Sequence, residues 1–283
     1  MVRGYHFLVA GLPDLLMEES KSAPPLKTFI AEAKEQMTPR DFDLVSAMAR
    51  CVDNRNLVNA LEPKDGAEFD ESGNFSQEEL EEGIKEPEQL PAYMRAFLEA
   101  YKEGSLANDG YTMIDRLSRM FYSEMAASKN RFQRDWFAFD LGLRNVVTGI
   151  NIRKGLGHIE ALSTSRDRPG AFTVIGEDDI AEAVLKSSAP DFGLSAEYPW
   201  VEKVIALNKN SLTEMEKGLD DLRWDMLNEL TVFTYYRPET VAAYVQKLMI
   251  VNRWMKLNPV VGKEKLDKLI AELMSSFEMP EGF

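Results

Sequence analysis

Two stretches of this chain place acidic side chains at spacings that could do chemistry. In Asp220-Asp221-Leu222-Arg223-Trp224-Asp225 the aspartates fall within about a turn and a half of helix. Such a cluster could hold magnesium and, through it, the diphosphate of a substrate in an all-helical enzyme. The helical phase argues against it. Leu219, Leu222 and Met226 take the apolar side, Asp221 and Asp225 share the adjacent polar side, and Asp220 turns away from them. With Lys217 and Arg223 close by, a solvated, ion-paired face is the expected reading. The second stretch, Glu68 to Glu79, sets Glu68, Asp70, Ser72, Gly73, Asn74, Phe75 and Glu79 on a twelve-residue calcium-loop template. A leading glutamate displaces the first ligand, and Pro63 and Gly66 break the helix that should enter the loop. A turn followed by a helix cap is the better expectation.

Other chemistry finds too few groups. His6 and His158 lack the glutamate three residues earlier that a di-iron bundle needs, and a closed zinc site needs more Cys and His than the chain has. Gly155-Leu156-Gly157 has neither the third glycine nor the preceding strand of a dinucleotide loop. Asp191-Phe192-Gly193 reads as a turn, without companion kinase motifs. The single cysteine, Cys51, sits among Met48, Ala49 and Val52 and reads as a small buried apolar residue. No catalytic, cofactor or metal residue is assigned, and no cofactor is expected.

Composition narrows the class. Of 283 residues, 45% are hydrophobic and 28% charged, as in ordinary globular proteins. A net charge of -14 argues against direct nucleic-acid binding, which needs Lys and Arg to neutralise phosphates. One cysteine suits a reducing compartment. Pro13 and Asp14 interrupt the short apolar run at the N-terminus, and nothing else approaches bilayer length. A cytoplasmic protein is expected.

The elements that would position these residues are helices, giving an all-α multi-helix bundle of antiparallel pairs. Residues 24–36 and 38–61 read as helices, the latter started by Thr38, Pro39 and Asp41. Between Glu62 and Pro91 eleven acidic residues face only Lys64 and Lys85. This block reads as an acidic exposed insertion or linker with one short helix starting at a Ser76–Glu79 capping box. It divides an N-terminal helical part, 1–61, from a main bundle, 92–283, with the two parts packing as one domain as the alternative. Helices follow over 90–102 and 111–127. A long central one begins at Arg131, with Phe132, Trp136, Phe139, Leu143, Val147 and Ile150 on its stripe and a stop at Gly155 or Gly157. Residues 171–176 offer a short strand and 178–187 a helix. A C-terminal three-helix unit covers 211–233, 238–257 and 263–277; its first helix presents Leu212, Met215, Leu219, Leu222, Met226, Leu230 and Phe233 as a coiled-coil-like seam. Trp136, Trp200, Trp224 and Trp254 read as core.

Six segments carry a family resemblance: YHFLVAGLPDL, DNRNLVNAL, LPAYMRAF, WFAFDLGLRNVVTGINIRKG, EKGLDDLRWDMLNELTVFTYY and VAAYVQKLMIVNRW. The chain resembles an uncharacterised bacterial family encoded with the components of V/A-type rotary ATPases. It is also distantly similar to the C-type (also called d-type) connector of those machines. The resemblance implies a non-enzymatic connector between central stalk and membrane rotor ring, or an assembly factor for it. The partners would be central-stalk and membrane-ring subunits, with membrane contact only through the ATPase. Arg144, Asn145, Arg153 and Lys154, polar residues of the central helix, are the candidate partner-docking residues; internal helix–helix bonding is the alternative for them.

Overall fold

Side-chain caps start six of the helices. Thr38, Ser76, Thr112, Asn130, Asp178 and Ser211 each accept the backbone N–H three residues on, and Ser76 and Ser211 complete capping boxes with Glu79 and Glu214. In a computed structural model that describes residues 4–17, 23–63, 66–106, 110–156, 173–209 and 211–257, the result is an all-helical bundle. Its helices are α1 (His6–Ala10), α2 (Leu26–Gln36), α3 (Pro39–Ser46), α4 (Arg50–Leu61), α5 (Gln77–Lys85) and α6 (Ala92–Lys102). They continue with α7 (Met113–Ala126), α8 (Arg131–Asn151), α9 (Asp179–Lys186), α10 (Trp200–Leu207), α11 (Leu212–Thr231) and α12 (Pro238–Leu257). None of them is long and apolar enough to cross a membrane.

α8 is the central strut. It packs on α7, α9, α10 and α11, and Phe132, Trp136, Phe137, Phe139, Leu143, Val146 and Ile150 bury themselves nearly all round it. Two of its glycines allow α9 and the 189–193 turn to come close. A Cβ on Gly142 would meet the Ile180 side chain at 2.7 Å, and one on Gly149 would meet Val184 at 2.5 Å and Phe192 at 2.9 Å. The helix does not stop at Gly155 but runs on as a π-turn, Ile152–Leu156; Gly157, the other expected stop, lies outside the described residues.

Elsewhere the structure departs from the pattern of the sequence. The expected helix over 38–61 is two helices joined by a 3₁₀ turn, Ala47–Ala49, whose side chains lie buried where α12 crosses. α10 carries only two buried apolar residues, Val201 and Val204, too few to show a helical period. No strand forms among the described residues: 173–176 has no regular structure, and Ile175 pairs with a side chain instead. Of the α11 seam only Leu219 and Leu222 are buried; Leu227, outside the seam, is buried where Met226 is not, and Leu212 and Phe233 are exposed. In the α12 stripe, Val241, Val245, Leu248 and Val251 are buried and Met255 is half-exposed. The third helix expected over 263–277, and His158, lie outside the described residues.

The acidic block is exposed along its charged side and held from beneath. Leu80 and Leu90 are buried, and Gly83 lies against Leu90. One continuous apolar core draws on residues from Leu8 in α1 to Leu248 in α12.

Candidate functional site

The four candidate docking residues of α8 and its π-turn each hydrogen-bond to other parts of the chain, two of them from buried or half-buried positions and two from the surface. Arg144 donates to Asp115 Oδ1 at 2.7 Å, and Asp115, buried in the first turn of α7, also accepts the Thr112 hydroxyl at 2.6 Å. The carboxylate thus lies at the positive end of one helix dipole while neutralising a cation from the next helix. Asn145 is completely buried; its amide donates to the Ile175 carbonyl at 2.7 Å and accepts the Ile175 N–H at 3.1 Å. It supplies the two bonds that a neighbouring strand would have made. No surface of Asn145 is open to a partner.

Arg153 and Lys154 are exposed, but their donors reach neighbouring helix ends. Arg153 donates to the carbonyls of Ser187 and Ala189, both at 2.5 Å, and its guanidinium lies 3.8 Å from the centroid of the Phe192 ring. Lys154 donates to the carbonyl of Asn208 at 3.2 Å. Ser187 caps α9 and Asn208 caps α10, so each cation satisfies carbonyls left open at the negative end of another helix. The stacking explains the turn as well: Phe192, at φ 60, is driven into the core, and Gly193, at φ 75, completes the reversal under the Asp191 carboxylate. The Gly193 N–H holds that carboxyl below its ordinary range.

The aspartates of α11 divide as their helical phase predicts, with one correction. Asp220 is buried rather than solvated, at 1% exposure. Its Oδ1 accepts Arg223 at 3.0 Å; its Oδ2 accepts Arg253 and, at 2.8 Å, the Trp254 indole N–H. Arg223 also pairs with Asp140 on α8 at 3.5 Å, and Asp140 accepts the Tyr122 hydroxyl at 2.7 Å. A chain of charge-assisted bonds therefore joins α7, α8, α11 and α12. Both Asp220 oxygens are engaged by these donors, whereas Asp221 and Asp225 line a shallow open groove with Lys203, Leu207 and Gly218. The cluster is split between interior and surface and does not converge on one point. Trp224 and Trp254 are half-buried, each with a cation near its ring, rather than core residues like Trp136.

The calcium-like loop is a latch. Asn74 donates its backbone N–H and side-chain amide to Asp53 on α4, at 2.7 and 2.6 Å. Asn56, also on α4, pairs with the Asp70 backbone at 2.8 and 3.1 Å. The Asp70 carboxylate accepts the Ser72 N–H and hydroxyl, and Glu79 accepts the Ser76 N–H in its capping box. Gly73 is required because a Cβ there would collide with the Asp53 carboxylate. Burial pushes the Asp53 carboxyl up to about 6, against the opposing pull of the Asn74 and Phe75 bonds and the Arg50 charge.

The remaining candidate, Cys51, carries a thiol pushed up to about 12 by burial, reinforced by the Asp140 charge. It is not a nucleophile at neutral pH. Among the described residues, no group of three or more His, Cys, Asp or Glu is placed to hold a metal ion.

Sequence reasoning did not anticipate the roles of α4, where Arg50, Asp53, Asn54 and Asn56 are all buried. Their only trace in the chain is the polar run Asp53-Asn54-Arg55-Asn56 inside an otherwise helical stretch.

No curated protein and no solved structure matches the chain. A family model matches residues 1–276, nearly the whole length, and by it the chain belongs to the family described as Protein of unknown function (DUF2764).

Proposed function

We propose that this chain is a non-enzymatic component associated with V/A-type rotary ATPases, a C/d-like connector between central stalk and membrane rotor ring or a factor that assembles it. The observation that carries the reading is the bracing of α8. Arg144, Asn145, Arg153 and Lys154 are bonded to α7, to the 173–176 segment, and to the ends of α9 and α10. The Asp140–Arg223–Asp220–Arg253 chain adds α11 and α12. A part that passes torque must not shear internally, and charge-assisted bonds crossing between helices resist sliding in a way apolar contacts alone do not. The six resembling segments supply the partner class.

The test is a tagged pull-down from the native cell, with and without mild detergent, read by quantitative mass spectrometry. Central-stalk and membrane-ring subunits recovered in near-equal amounts support the reading. The chain recovered alone under both conditions overturns it.

A further inference from the structure

We draw no further inference here: the strongest candidate, the apolar turn between α11 and α12 that leaves Phe233 and Tyr235 exposed, carries none because nothing in the structure shows what covers it.

Discussion

Asn145 holds both backbone groups of Ile175 through one side-chain amide, at 2.7 and 3.1 Å, wholly out of solvent. Replacing it by Leu keeps the volume and strands a buried carbonyl and a buried N–H. Each stranded group costs roughly 1–3 kcal/mol, so Asn145→Leu is expected to destabilise by about 2–4 kcal/mol. Urea unfolding measures the loss, and faster exchange of the Ile175 amide locates it.

Asp220 and Asp225 share a helix and differ in fate. Asp220→Ala leaves the Arg223 and Arg253 guanidinium groups without the carboxylate that they and Trp254 enclose. Breaking a buried pair from one side costs about 3–5 kcal/mol; Arg253 is partly exposed and can rehydrate, which puts the expectation at about 3. Asp225→Ala, on the surface, is expected within about 0.5 kcal/mol of the unaltered protein. Equal losses in paired thermal melts would contradict the division.

Asp53 gives a pH signature. Its carboxyl is raised from 3.8 to about 6 on folding, so between those values the native state binds more protons than the unfolded chain. Stability from this group is therefore greatest at the acid side of the window and falls as pH rises through about 6. Two units correspond to at most about 3 kcal/mol. Asp70 and Asp191 work in the opposite sense below that window, and Glu214, lowered from 4.5, does so from within its acid end, because their carboxyls lose their bonds on protonation. Unfolding free energy measured from pH 4 to 7 should decline across the window in the unaltered protein and flatten in Asp53→Asn.

Cys51 is expected to resist alkylation. A thiol raised from 9.0 to about 12 holds on the order of a thousandfold less thiolate at neutral pH than a free one. Iodoacetamide labelling followed by intact mass should be slow in buffer and ordinary in denaturant.

Much of this architecture was legible in the chain, and the misses share one cause. Capped helices with a clear apolar stripe, such as those begun by Ser76 and Ser211, could be read because local chemistry and hydrophobic period agree. The α8 stripe was legible for the same reason. The kink at Ala47–Ala49, the short α10 and the clamp on Ile175 depend on residues far away in sequence, so no local pattern announces them. Gly73 shows how a motif misleads: it stands at the glycine position of the calcium template, yet its absent side chain makes room for Asp53. The aspartates of α11 show the limit of helical phase. Phase separates Asp220 from Asp221 and Asp225 correctly, but only the distant Arg253 and Trp254 reveal that Asp220 faces inward.

The polar interior of α4 also bears on the order in which the protein assembles. Arg50 needs Asp43 and Glu124, Asp53 needs Asn74, Asn54 needs the Tyr93 hydroxyl, and Asn56 needs the Asp70 backbone. A helix with four such demands gains little from collapse before its partners arrive, because each buried group would meanwhile lack a bond. Its docking is therefore expected to follow the rate-limiting step. Asn56→Ala should accordingly accelerate unfolding while leaving the refolding rate near that of the unaltered chain, and stopped-flow traces over a denaturant series would register the asymmetry. The segment least marked by hydrophobic pattern then acts as the bolt that sets how long the native state lasts.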